Sequence, residues 1–559
     1  MTLDWAADSI EKVKRSRTDR LNQTFPEMDE QDAEALIRAH HPDYVGAERP
    51  VRVGPNADTG HFPLELAALL EADSPLPAGF TPQTDLETDV LIIGGGGAGV
   101  AAALGLENSG LSVHLATKLR LGDSNTVMAE GGIQAALGKD DSARRHFADA
   151  YVGGHGKNNP ELLRILCESG PPSIQWLVRL GVMFDPDGNG MFRLKPGGGT
   201  SVPRVLACRD YTGLEIMRVL RDAVMTGGTQ LLENQAAVEL LDDGNGQVTG
   251  AVLWNTETRQ LTTVSARAVI LATGGSGQLR FQGFPTSNHL GATGDGLVLA
   301  YRQGCQLVHL SSYQYHPSGA SYPEAVAGQL VTEAIRSSGA QLLNAHGERF
   351  IDEMTYRDRV AAAIIKEAAE GRAVETPHGR KGVWLDTPMI DLLKGEGTLA
   401  KQFPGLIHRF KRYSIDPAEQ PVLVYPTLHY QNGGICIDDR CRTECPGLWA
   451  AGEVTGGLHG TNRLMGNSLL DIIVFGRRAA ESVQDELPER RAVTLTALTQ
   501  FRDALKALPD APAQTAPQLY PTVSQLKFAT AAAAETATEP KAGNASFNPS
   551  EPPDPFASR

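Results

Sequence analysis

Residues Asp89 to Ala103 read DVLIIGGGGAGVAAA. The apolar run Val90–Ile93 predicts a buried parallel strand, the kind covered on both faces. Gly94, Gly96 and Gly99 follow in GxGxxG register and lead into an alanine-rich helix. The first glycine permits a tight turn, the second lets a pyrophosphate approach the backbone, and the third lets helix and strand pack closely. The helix N-terminus then offers free N–H groups and the positive end of its dipole to the phosphates. Glycine-rich turns also occur without any ligand. The strand before this one and the helix after it select dinucleotide binding, and leave open which dinucleotide. The acidic residue expected at the end of the second strand is missing, because SVHLATK places Ala116, Thr117 and Lys118 there.

Around this stretch lies a chain of 559 residues, long enough for more than one domain and a large core. Its 51 Lys and Arg against 66 Asp and Glu give a net charge of −15, which argues against a nucleic-acid binder. No apolar run approaches a membrane span and the first residues lack the apolar core of a signal peptide, so the expected location is cytoplasmic, with any membrane association supplied by partner subunits. Cys167, Cys208 and Cys305 are scattered, while Cys436, Cys441 and Cys445 cluster in GGICIDDRCRTECPGLW. Three thiols fall short of the four-cysteine set of a zinc ribbon or iron–sulfur cluster, and no metal is assigned.

Along the chain, residues 1–87 form an N-terminal extension with helical patterns, one from Met28 to His40 and one in PLELAALLEA. It either docks on a partner or wraps its own domain. Strand–glycine turns recur through 88–314, including ARAVILATGGSGQ, as in a doubly wound nucleotide domain. Residues 315–425 change character and are expected to form an inserted domain. The nucleotide domain resumes over 426–485, a short helical region is expected over 486–527, and the Ala-, Pro-, Thr- and Glu-rich residues 528–559 are expected to be disordered.

The motifs AEGGI, ATGG, TGDG, YHPSG, TEAIR, YRDRV, HYQNGGI, AGEV and HGTNRLMGNSLLD occur in this order. With them the chain resembles, over roughly residues 88–482, the flavoprotein subunit of fumarate reductase and succinate dehydrogenase, a family that includes L-aspartate oxidase. The resemblance implies an α/β fold: a Rossmann-like FAD-binding domain interrupted by an α+β capping domain, with a short helical C-terminal region and the active site between the two domains. It implies FAD contacts from Gly94, Gly96, Gly99, Thr117, Lys118, Asn125, Thr126, Glu130, Gly131, Gly132, Asp295, Glu453, Ser468 and Leu469. Thr117 and Lys118 match the Ser/Thr-Lys pair that this family carries where the acid is missing. Membrane-bound members carry a histidine in S-H-T that bonds covalently to the flavin; here Ser124-Asn125-Thr126 stands instead, so FAD is expected to be noncovalent. Family precedent ties the covalent bond to succinate oxidation. Its absence, with Glu130 where dehydrogenases often carry Gln, favours the reductive direction.

For a C4 dicarboxylate, the resemblance places His429 and Arg463 at one carboxylate and His316 and Thr332 near the other. Arginine suits the role through its planar fork of donors. Arg357 matches the family's proton donor, with Glu333 and Arg336 as its relay; a plain helix salt bridge between the latter two is compatible with that role. The expected reaction is reduction of fumarate to succinate in the electron transport of anaerobic respiration, with a partner iron–sulfur subunit. A succinate dehydrogenase flavoprotein, an L-aspartate oxidase, a reductase of another unsaturated acid and an electron-transferring flavoprotein without dicarboxylate turnover remain as alternatives.

Overall fold

The computed structural model describes residues 3–57, 59–509 and 514–521. The tail expected to be disordered, 528–559, and the end of the expected helical region, 522–527, lie outside them.

The chain opens with helices α1 (Ala7–Arg20), α2 (Glu30–His40) and α3 (Leu64–Leu70). Strand β1 (Leu86–Ile93) feeds α4 (Gly97–Leu106), then β2 (Val113–Thr117), β3 (Gln230–Glu233), β4 (Gln235–Asp242), β5 (Val248–Asn255), β6 (Leu261–Leu271) and α5 (Asp295–Arg302). The intervening body holds β7 (Tyr313–Ala320), α6 (Glu333–Ser337), β8 (Gln341–Leu343), α7 (Arg357–Ala369), β9 (Val374–Glu375), β10 (Lys381–Asp386), α8 (Pro404–Lys411) and β11 (Val422–Gln431). The chain then returns through β12 (Leu448–Ala450), α9 (Asn467–Asp485) and α10 (Thr496–Lys506).

The first sheet has seven strands in the order β3-β2-β1-β6-β5-β4, with β12 beside the end of β6. Pairs β1–β2, β2–β3, β1–β6 and β6–β12 are parallel, whereas β4, β5 and β6 form an antiparallel meander. One edge of β6 thus serves two partners: residues 261–265 pair with β5 and 269–271 with β12, which arrives only after the inserted body. Helix α4 is buried nearly all round, as its lack of polar residues dictates. It lies against α9 through small residues, with Gly105 facing Ala480 and Gly476 facing the Ala98 carbonyl.

The inserted body carries a five-stranded antiparallel sheet, β7-β11-β10-β8 with β9 beside β10, over a core that includes Trp384, Phe403 and Phe410. Strands β7 and β11 cross both bodies. Tyr313, Tyr315 and Leu428 belong to the nucleotide core, while Ala320 and Val422–Val424 belong to the capping core. The expected boundaries at 314/315 and 425/426 therefore fall inside continuous strands. Bulges at Gln314/Tyr315 and His316/Gly319 break the β7–β11 register where the strand passes the site, a common device for re-aiming side chains.

Of the two readings of the N-terminal extension, the structure displays contacts with its own chain. Leu3, Ile10, Val13, Leu36 and Ile37 enter the capping core. Arg17 and Arg20 both donate to the fully buried Asp386 of β10, at 2.8 and 2.7 Å. Further on, Val51, Phe62, Leu66 and Leu70 pack into the nucleotide core. The extension thus grips both bodies. After α10, residues 514–521 return as an extended segment against the nucleotide domain, with the Ala516 carbonyl accepting from Arg302 at 2.7 Å.

Candidate active site

Two cavities adjoin between the bodies, of about 890 and 800 Å³, sharing Asn125, Thr126, Glu453 and Ile472 as common wall. The larger begins at the β1–α4 turn. Gly94 has φ 123°, and a Cβ there would meet the Ala272 carbonyl oxygen at 2.2 Å. A Cβ on Gly99 would stand 1.9 Å from the Gly94 carbonyl oxygen, so this glycine sets the strand–helix approach and does not line the cavity. Gly96 lines the cavity and caps α4 without a side-chain hydrogen bond of its own, and the Gly97 N–H behind it donates to Thr126 Oγ1 at 3.1 Å, so the donors left at this helix end are the amides that follow. Thr117 and Lys118 at the end of β2, with Asp295 at the start of α5, line the same cavity.

FAD fits these residues. Two of the lining residues carry a buried polar atom, Thr273 Oγ1 and Gln235 Oε1, with no hydrogen-bond partner among the described residues, and a buried polar group without one is costly. Asn125 is fully engaged. Its Nδ2 donates to Asn288 Oδ1 (2.7 Å) and Glu453 Oε2 (3.1 Å), and its Oδ1 accepts the His289 N–H (2.6 Å). Burial raises the Glu453 carboxyl above its ordinary range, against the pull of the Gln431 N–H and Asn125.

The second cavity brings together Glu130, Gly131 and Gly132 from the nucleotide body, Ser468 and Leu469 from the start of α9, and His316, Thr332, Glu333, Arg357, His429 and Arg463. Gly132 has φ 135° and lies under the Leu206 carbonyl, so no side chain fits there. The N-terminus of α9 is capped only by Gly466. The Asn467 N–H donates to the Leu464 carbonyl at 3.3 Å, which leaves the amides of Ser468 and Leu469 as the donors of this helix end.

Arg357, the first residue of α7, donates from Nε to Glu333 Oε2 at 2.6 Å and from an Nη to Gln314 Oε1 at 2.7 Å. Glu333, at the start of α6, also accepts from Arg336 (3.3 Å) and from the Gly198 N–H (2.9 Å). Burial opposes its charge, but the two guanidiniums outweigh burial and hold its carboxyl down at about 2. Arg336 lies behind Glu333, outside the cavity lining, and donates onward to the Glu353 carbonyl. Arg463 donates to the same Gln314 oxygen at 2.9 Å and sits 4.3 Å from the Tyr430 ring centre. Burial, with Arg357 nearby, lowers it to about 10.

His316 and His429 face each other with ring centres 5.2 Å apart. Burial and the surrounding guanidiniums press both well below the ordinary imidazole value, so both are neutral. His316 Nδ1 accepts the Ser318 N–H at 3.2 Å, which puts the proton on Nε2. His429 Nδ1 lies 2.8 Å from Ser287 Oγ. Glu130 is paired with Arg409 of α8, an ion pair that joins the two bodies at the cavity, and burial pushes its carboxyl up to about 7.

Gln314, Ser287, Asn288 and Arg409 were not singled out in the sequence. Gln314 had a signal: it lies two residues before His316 on a strand, and period two places both on one face. Arg409 had none, since its partner is 279 residues away. Among the described residues no group of His, Cys, Asp and Glu is arranged to hold a metal ion. Cys441 is buried, and Cys445 lies against Cys305, their sulfurs 3.2 Å apart. No helix among the described residues is long and apolar enough to cross a membrane.

Residues 89–469 match the family described as FAD binding domain. An FAD-dependent oxidoreductase of Methanocaldococcus jannaschii, itself uncharacterised, is 40% identical over 410 residues, 72% of each chain. The L-aspartate oxidase of Streptomyces coelicolor is 37% identical over 415 residues, 72% of this chain and 69% of that one. One subunit of the fumarate reductase (CoM/CoB) of Methanothermobacter marburgensis is 37% identical over 407 residues, 71% of this chain and 72% of that one. Among solved structures, FrdA of Escherichia coli quinol fumarate reductase superposes with a TM-score of 0.69 at 29% identity, over 76% of this chain and 75% of that one. With a cavity suited to FAD opening onto a second one lined by guanidinium and imidazole, the chain belongs to the FAD-dependent flavoprotein family of fumarate reductase, succinate dehydrogenase and L-aspartate oxidase.

Proposed function

We propose that the chain reduces fumarate to succinate as the flavoprotein subunit of an electron-transfer complex. The observation that carries this reading is the charge balance of the second cavity. Arg357, Arg463 and two neutral histidines line it, and each carboxylate among its described lining residues is already engaged. Glu333 serves Arg357 and Arg336, Glu130 serves Arg409, and Glu453 accepts from Asn125 and the Gln431 N–H. A dicarboxylate without an amino group finds donors for both ends. The ammonium of aspartate would have to share a carboxylate that already has a partner, which favours the dicarboxylate over the amino acid.

In this reading His429 and Arg463 hold one carboxylate, and His316, through Nε2–H, and Thr332 meet the other. Held by the residues of the first cavity, reduced FAD would supply the hydride that one alkene carbon gains. Arg357 gives a proton to the other carbon, its guanidinium fixed by Glu333 and Gln314. The route Arg336–Glu333–Arg357 returns the proton, so that the alkene gains one hydride and one proton in all. The two electrons arrive from a separate donor, for which an iron–sulfur subunit is proposed. Asn125, an amide with all its polar atoms engaged, offers no linking imidazole, so the flavin is held noncovalently.

The test uses the purified holoprotein with reduced viologen. Fumarate should be reduced faster than succinate is oxidised with a comparable dye, aspartate should not be turned over, and acid precipitation should leave the flavin in the supernatant. Faster oxidation of aspartate than reduction of fumarate would overturn the reading.

A further inference from the structure

Lys118 directly follows β2, where dinucleotide folds place the residue that meets the adenosine ribose. Its ammonium is held by three acceptors: Asp295 Oδ2 at 2.6 Å, Thr293 Oγ1 at 2.8 Å and the Leu519 carbonyl at 2.7 Å. The third comes from a segment 401 residues downstream. The same segment touches this corner repeatedly. The Leu519 N–H reaches Asp295 Oδ1 at 3.4 Å, Tyr520 Oη donates to the Lys118 carbonyl at 3.1 Å, and the Tyr520 ring centre lies 5.9 Å from Lys118 Nζ. Lys118 and Asp295 line the larger cavity, in the part not shared with the smaller one, whereas Leu519 and Tyr520 stand behind them.

The far end of the segment is anchored separately. The Ala516 N–H donates to the Asp73 carbonyl at 2.8 Å and Arg302 donates to the Ala516 carbonyl, while Ala516 and Leu519 are both buried. Leu519 itself is left-handed, φ 61°, a conformation that costs a branched residue energy and persists only where surrounding contacts impose it. These contacts converge on the two charged residues of the cavity's ribose corner.

We propose that residues 514–521 are a retaining strap for the adenosine half of FAD. By fixing Lys118 and Asp295 in one arrangement they set how long a flavin without a covalent link stays bound. Leu519 and Tyr520 are positioning residues; they act through Lys118 and Asp295. The proposal rests on FAD binding and is independent of which acid is reduced.

The test uses full-length holoprotein carrying Leu519→Pro, Tyr520→Ala or Tyr520→Phe. Proline, fixed near φ −65° and without an N–H, cannot occupy position 519 as leucine does. Flavin release is followed by its fluorescence after dilution, and melting is measured with and without FAD, since the gap between the two temperatures reports ligand binding apart from scaffold stability. Leu519→Pro, which removes the Leu519 N–H and the left-handed turn that aims its carbonyl at Lys118, and Tyr520→Ala, which removes the ring and the Oη hydrogen bond, should release FAD about tenfold faster, the scale of one or two hydrogen bonds of ordinary net strength, and the melting gap should narrow. Tyr520→Phe, which keeps the ring over Lys118 and loses only the Oη hydrogen bond, should fall between the parent and Tyr520→Ala. Added FAD should restore turnover in all three. Parental release rates in Leu519→Pro and Tyr520→Ala would overturn the proposal, and so would a fall of both melting temperatures with an unchanged gap. If Leu519→Pro fails to fold, Tyr520→Ala decides alone.

Discussion

Arg357 and Arg463 share one neutral acceptor, the Gln314 oxygen, yet they are asked to do different things. If Arg357 is the proton donor, Arg357→Ala should lower fumarate turnover by about a hundred- to ten-thousandfold, the usual worth of an acid–base group, with flavin absorbance unchanged. Arg357→Lys should remain severely impaired, because a shorter point charge cannot hold the grip on Glu333 and Gln314 together. Near-parental turnover in the lysine variant would leave plain electrostatics as the better account. Arg463 predicts a pH effect. Its value, lowered by burial to about 10, means that the clamp is charged below that pH and is lost as pH rises through it. Hence kcat/KM for fumarate should fall on the alkaline side of about 10, while kcat at saturating dianion, which favours the charged form, should fall later. A profile flat to about pH 11 would remove Arg463 from substrate binding. The motif-bearing residues around these two were legible in the sequence because each sits in a short ordered string. Gln314 offered only its place two residues before His316, and Ser287 offered nothing, since what distinguishes it is which side chain it touches.

At the scale of elements, the strand–glycine–helix unit was legible because the demand is local. Gly99 and Gly96 should now separate its two duties. Gly99→Ala would drive a methyl into the Gly94 carbonyl, and should cost about 1–3 kcal/mol, the range for overpacking, read as a lower denaturant midpoint. Gly96→Ala meets nothing nearer than the Ser124 Cβ, at 3.3 Å, so its stability should stay near the parent while the flavin-to-protein ratio drops. Equal effects in both variants would refute this division. The DDGNG turn at 242–246 also marks a strand on either side of it, β4 and β5, but the continuation of that pair into an antiparallel meander with β6 was not legible, because a buried apolar run does not say which neighbour is paired. The same holds for β7 and β11, whose composition changes at the body boundary while their backbone runs on.

For the whole molecule, the N-terminal extension is the part that sequence left undecided, and its partners explain why: Ser9 bonds to Ala345, 336 residues on, and Arg17 to Asp386, 369 residues on. Asp386→Ala should cost about 3–5 kcal/mol, because it strands two guanidiniums in the interior, and calorimetry should register it as a large drop in melting temperature. A drop no larger than that of an exposed ion pair would mean that the extension is only loosely held. The same separation in sequence has a consequence in time. Chains are made at about 5–20 residues per second, so α1 waits roughly 20–70 s on the ribosome before the strand that will receive Arg17 has been synthesised. Through most of that interval Ile10 and Val13, both buried in the finished protein, lack the part of their core that begins at Ala320. Translation speed and the supply of chaperones, rather than final stability, then set how much of each newly made chain reaches the flavin-binding state.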